Sequence, residues 1–154
     1  MSPPGRGNRV EESDLQLNAL GLGPHDAVDI LERMSPKLAL QIGAVLAIVF
    51  GLGLALLPAQ MLAGFGLATP NEALVVSRDV GVTLVGVGVI NWLARDATGA
   101  ALRGILIGNL VIQVLEFLVN GYELATGALP SQAAGGEIIH VVLAVIFFLA
   151  LRRA

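Results

Sequence analysis

Residues 104–122 are apolar enough to cross a membrane, yet they carry Asn109, Gln113, Glu116 and Asn120. In an α-helix, at about 100° per residue, these four positions fall within about 60° of one another and form one polar stripe on an otherwise apolar rod. Such a stripe cannot face lipid, because the carboxylate alone would cost about 2.5–3.5 kcal/mol or more at mid-bilayer. It must look into a bundle of other helices or into a wet cavity, and the rest of the chain has to supply that bundle.

The composition agrees with lipid as the solvent. Of 154 residues, 55% are hydrophobic and only 14% charged, far from the norm of a soluble domain. The net charge is −3 and the basic residues are scattered, which excludes the basic patch that a nucleic-acid backbone demands. The absence of cysteine removes disulfides, thiolate metal sites and thiol redox chemistry. Eight arginines against one lysine, with abundant Ala, Gly, Val and Leu, give the bias of GC-rich bacterial coding, so a bacterial cytoplasmic membrane is expected.

Three further apolar runs complete an all-α, up-down-up-down bundle of four spans. Residues 38–57 form an unbroken run closed by Pro58, and 20 residues at about 1.5 Å each cover the hydrocarbon core. With no ionisable group inside, this first span reads as the scaffold of the bundle. The second span covers about 73–94, the third about 102–122 and the fourth about 134–151. The connections at 58–72 and 122–136 are rich in Gly and Pro and read as loops. Residues 1–36 are polar and breaker-rich and read as a flexible tail, within which 24–34 can form a short surface helix bearing Val28, Leu31 and Met34. Met34, followed by Ser35, Pro36, Lys37 and an apolar run, also reads as an alternative translation start.

Basic residues set the orientation. Arg33 and Lys37, then Arg95 and Arg103, then Arg152 and Arg153 flank one side, while the loops at 58–72 and 122–136 carry no Lys or Arg, which places both termini in the cytoplasm. Trp92 suits the cytoplasmic interface and Tyr122 the opposite one. Small residues mark helix contacts: Gly81 and Gly88, seven apart, share a face of the second span, and Gly104 and Gly108 offer a second close-packing surface away from the stripe.

Counting from the loop centres brings Arg78, Asp79, Glu116, Asn120, Glu137 and His140 to one level in the outer half of the membrane. Two readings of this cluster stand side by side. In the structural one, Arg78 pairs with Glu116 and the amides of Asn109, Gln113 and Asn120 bond between helices. In the functional one, the same groups line an outer-leaflet pocket that binds a lipophilic molecule such as a quinone or lipid, with Arg78 on an oxygen and Glu116 or His140 exchanging protons. Glu137-x-x-His140 has the i, i+3 spacing of di-iron carboxylate bundles, but the motif occurs once where such sites use two, and His140 alone could serve a tetrapyrrole only as a single axial ligand. No metal or cofactor is therefore assigned. No nucleophile elbow, phosphate-binding loop or zinc-protease motif is present, and no reaction is indicated.

The segment from Arg78 through Gly81, Gly86 and Gly88 to Trp92 and Arg95 reads R-x-x-G-x-x-x-x-G-x-G followed by an aromatic and an arginine. In this it resembles the second helix of the small four-span bacterial membrane proteins of the DoxX-like group. The resemblance covers about 18 residues directly and extends to the four-helix layout. It implies a four-helix membrane fold; a thiol role known among such proteins has no cysteine here to carry it. The expectation is a structural or accessory subunit that packs with other membrane helices or with itself, with lipophilic-ligand binding as the alternative.

Overall fold

The computed structural model describes residues 34–154; the tail, its short surface helix and the region before Met34 lie outside the described residues. Helix α1 spans Pro36–Leu56. The Ser35 hydroxyl accepts a hydrogen bond from the Leu38 backbone N–H at 3.1 Å, and Pro36 occupies the first turn, where its missing N–H is not needed. Leu57 leaves the helical region ahead of Pro58, whose ring disfavours helix at the preceding residue.

A short helix α2, Pro58–Gly64, follows within the connection read above as a loop. Pro58 opens it and Gly66, at φ 75°, closes the turn after it. Helix α3 spans Asn71–Ala94, α4 spans Gly99–Thr126 and, after a 3₁₀ turn at Ser131–Ala133, α5 spans Ala134–Leu151. The third span is thus longer than 102–122 at both ends. Gly99 and Glu123 belong to it, and it stops where Gly127 takes φ 76°, the left-handed conformation that ends many helices. Gly135 and Gly136 likewise lie within α5, not in the preceding loop.

The described residues are all-helical, and α1, α3, α4 and the stretch Ser131–Leu151 are long and apolar enough to cross a membrane. Four such helices are the signature of an integral membrane protein. Large apolar side chains cover the outside, among them Val49, Val82, Leu93 and Leu118, a surface that lipid tolerates and water would not.

Two tight pairs make up the bundle. The first is α1 with α3, where Gly81 lies directly on the α1 backbone: a Cβ added there would stand 2.6 Å from both the Gly51 oxygen and the Ala55 nitrogen. At Gly88 the same construction meets Ile48 Cγ1 at 2.6 Å and the Ala44 oxygen at 2.9 Å. Dispersion between closely approached backbones is the main attraction available to helices in lipid, and glycine allows the approach. The second pair is α4 with α5. Helix α1 touches all three other spans, while α3 meets α4 only briefly.

Side chains are buried unevenly along the bundle. Ala39, Leu40, Ala44, Leu102, Leu106, Leu143, Ile146, Phe147 and Ala150 all lie in the half nearest Lys37, Arg95 and Arg152. Phe147 fills the space over Gly43, where an added Cβ would meet its ring at 2.6 Å. Beyond Asn109 in α4 and before Leu143 in α5 no residue of these helices is buried. Buried side chains of α4 and α5 are therefore concentrated in one half of the membrane.

At the joined end the polar contacts are at the surface. The Lys37 ammonium lies 2.6 Å from Asp96, tying the start of α1 to the α3–α4 turn, and the Arg95 guanidinium sits over the Trp92 ring, 4.7 Å from its centroid. The hydrogen bond from Lys37 holds the Asp96 carboxyl below its ordinary pKa. That contact is present at neutral pH and is lost only as pH falls through the lowered value. At the other end the two outer loops meet, since a Cβ on Gly66 would stand 3.1 Å from Gln132 Oε1.

Candidate functional site

The polar residues of the spans separate into distinct places, set by the rotation of each helix. At mid-bundle Asn91 of α3 and Asn109 of α4, 1% and 7% exposed, exchange two amide hydrogen bonds: Asn91 Nδ2 donates to Asn109 Oδ1 at 2.8 Å and Asn109 Nδ2 to Asn91 Oδ1 at 2.7 Å. The second Asn109 N–H reaches the Ile105 oxygen at 2.9 Å. Both amides are thus largely satisfied away from water. Asn91, which is not among the site residues expected from the sequence, forms half of the principal polar contact between the two helix pairs.

One turn outward on α4, the Gln113 amide oxygen lies 2.8 Å from His140 Nδ1 of α5. With the oxygen as acceptor, Nδ1 carries the proton of this bond. Glu137, three residues before His140, sits elsewhere. Its Oε2 is buried without a partner among the described residues and lies near the α4 backbone at Gly121, where an added Cβ would stand 3.9 Å away. Gly121 is about 140° around α4 from Glu116, so Glu137 and Glu116 occupy opposite flanks of that helix. Among the described residues no three His, Asp or Glu side chains converge as a metal site would require, and Glu137-x-x-His140 gains no third ligand.

The sequence reading paired Arg78 with Glu116, and the structure does not form that pair. Arg78 lies about 140° around α3 from Asn91, the residue that marks the side turned toward α4, and Asp79 lies about 160° from Gly81, the residue on α1. Both are exposed, as is Glu116. Among the described residues the only ion pairs are those of Asp96 with Lys37 and Arg95. The six residues brought to one level by counting therefore do not gather into one site.

In the outer half the bundle holds an open groove between α1, α2 and α3. The face of α3 that carries Asn91 carries Ala73, Ser77 and Val80 further outward, and the face of α4 that carries Asn109 carries Gln113, Glu116 and Asn120. On the α3 side lies an open groove of about 290 Å³ lined by Leu54, Leu62, Ala73, Val76, Ser77 and Val80. Ser77 is 6% exposed, and its hydroxyl has no partner among the described residues. Sequence reasoning missed Ser77, whose only signal was its place one turn before Gly81 on a buried face.

The glycines divide in the same way. Gly81 and Gly88 are covered by α1, whereas a Cβ at Gly86, Gly104 or Gly108 would meet nothing within 4 Å. Compared with known proteins, the chain matches no family model, no curated protein and no solved structure.

Proposed function

We propose that this chain is a small subunit of the bacterial cytoplasmic membrane, with both termini on the cytoplasmic side, that packs against copies of itself or the helices of a larger assembly. The observation that carries this reading is Asp79, an exposed carboxylate on the side of α3 opposite α1. Counted outward from Arg95 over a hydrocarbon core of about 30 Å, Asp79 falls about one turn inside the far boundary, where facing lipid is costly. Thr83 and Gly86 continue the same outward face, both exposed. A polar and small strip on the outside of a spanning helix is suited to another helix, which would cover Asp79 and approach closely at Gly86. Placement beside the DoxX-like four-span proteins belongs to this proposal and rests on the pattern from Arg78 to Arg95.

The test is the mass of the particle extracted in mild detergent, by native mass spectrometry. Wild type should run as an oligomer or complex of fixed stoichiometry, and Gly86→Leu, whose side chain enters space that is open in the single chain, should reduce it to the folded monomer. A monomeric wild type without partners would overturn the reading. Orientation has its own check, since a chain without cysteine accepts single-cysteine labels cleanly. Thr98→Cys should react with an impermeant maleimide only from the cytoplasmic side and Ser131→Cys only from the opposite side; the reverse pattern would place both termini outside.

The open apolar groove lined by Leu54, Leu62, Ala73, Val76 and Val80 favours a second reading, the binding of a lipophilic ligand in the outer half of the bundle.

A further inference from the structure

We infer that this chain forms a two-fold dimer in the membrane, α3 packed along α3 of a second copy, with Arg78 of each copy paired to Asp79 of the other; this rests on the subunit reading above and names the partner, the face and the contact. Three observations carry it. First, Arg78 and Asp79 are opposite charges side by side on α3, both exposed, and no ion pair reaches either among the described residues. Neighbours in sequence point about 100° apart on a helix, so the two do not face each other within one chain. The other cations among the described residues, Lys37, Arg95, Arg103, Arg152 and Arg153, belong to the opposite end of the bundle. Arg78 can extend its guanidinium toward the headgroups, but the Asp79 side chain is too short to leave the hydrocarbon core from one turn inside it. The carboxylate needs a proton, or a cation delivered at its own depth from outside the chain.

Second, another copy of the chain supplies that cation. Copies inserted in one orientation meet about an axis along the membrane normal, which sets α3 parallel to α3 and equal residue numbers at equal depth. The second copy's Arg78 then lies within one residue, about 1.5 Å, of the depth of Asp79, and the two-fold makes the contact twice. A patch that carries both signs at one level is complementary to itself under this operation: two carboxylates meet two guanidiniums and no net charge is buried. Third, the rest of the face has the form of a helix–helix seam. Val75, Asp79, Val82, Gly86, Val89 and Leu93 follow one another at intervals of 4, 3, 4, 3 and 4, the a/d alternation of a left-handed parallel pair, and all are exposed. With Asp79 at an a position Arg78 takes g, which in such a pair flanks the a side chain of the partner. Gly86 lies in the middle of this seam, where an added Cβ would meet nothing within 4 Å, whereas Gly81 and Gly88 are covered by α1. A glycine inside a helix is a cost that the single chain does not explain and that a second backbone approaching at Gly86 does. The seam reaches Leu93, about 21 Å deeper than Asp79, which favours a helix over a zwitterionic lipid headgroup as the occupant.

The test uses the full chain, which has no cysteine of its own. Val82→Cys, oxidised with copper phenanthroline in the membranes that contain it, should cross-link to a dimer. Leu118→Cys, exposed on α4 and as many residues outward from Asn109 as Val82 is from Asn91, should not. Native mass spectrometry in mild detergent should give the wild type at twice the mass of the chain. Asp79→Arg and Arg78→Asp should each lower the dimeric fraction about tenfold when expressed alone, yet form a mixed dimer when expressed together, because charges that repel between like copies attract between unlike ones. Circular dichroism and particle size establish that each variant is folded; where a charge reversal prevents folding, the two cysteine variants decide with smaller substitutions. Dimers that persist in either folded reversal, no mixed dimer, or cross-linking at Val82→Cys that is absent or no greater than at Leu118→Cys overturns the inference. A wild-type particle of other stoichiometry, or one that holds a different protein, also overturns it and leaves the subunit reading standing. A monomeric wild type without partners overturns both.

Discussion

Gly81→Ala should destabilise the bundle by about 1–3 kcal/mol, the range for forcing a methyl group into close-packed structure. The reason is local: the new Cβ would lie 2.6 Å from two backbone atoms of α1, the Gly51 oxygen and the Ala55 nitrogen, and backbone cannot turn aside as a side chain can. The whole α1–α3 contact must open, and with it the continuous dispersion between the helices. Gly88→Ala should cost less, because its nearest neighbour is Ile48 Cγ1, which can change rotamer, although the Ala44 oxygen at 2.9 Å leaves little room. Gly86→Ala in the same helix should be neutral or stabilising by up to about 1 kcal/mol, since it meets nothing and improves helix propensity. Reversible unfolding in mixed micelles, at dilutions that hold the chain monomeric, would rank the three. Equal effects at Gly81 and Gly86 would mean that the α1–α3 approach is not as close as described.

The contrast among these glycines shows what the sequence makes legible. Length does so first: the bilayer sets a minimum apolar run, so the four spans stand out by composition alone, and the seven-residue interval puts Gly81 and Gly88 on one face. Helix ends are partly legible. Pro58 and Gly127 mark stops through backbone preferences, but α2 lies hidden in a stretch that reads as loop because a seven-residue helix has too little periodicity to register. Rotation is the poorest signal. In water an apolar face points inward, whereas in lipid both faces are apolar, and a helix such as α3 gives few clues to its azimuth.

That loss of rotational information accounts for the way the polar cluster divides. Depth follows from counting at 1.5 Å per residue and tolerates errors of two or three positions, so Arg78, Asp79, Glu116, Asn120, Glu137 and His140 are brought to one level. Direction advances about 100° per residue, and the same uncertainty changes a facing residue into an averted one. Arg78 and Glu116 therefore match in charge yet do not meet. Asn109 and Gln113 show the other side of the same rule. Each lies on the stripe of α4, but Asn109 finds its partner on α3 and Gln113 on α5, because a stripe some 60° wide spans the seam between two neighbours.

Removing one member of the Asn91–Asn109 pair should have the second large effect. In Asn109→Leu, Asn91 keeps a buried amide donor and acceptor with no partner, at a cost of about 1–3 kcal/mol. Asn91→Leu should cost less than that, since Asn109 retains its bond to the Ile105 oxygen. The double variant Asn91→Leu/Asn109→Leu leaves no orphaned amide and should recover part of the loss, giving a coupling of about 0.5–2 kcal/mol in a double-mutant cycle. Additive losses would show that lipid or water satisfies each amide alone and that the pair does not hold α3 to α4.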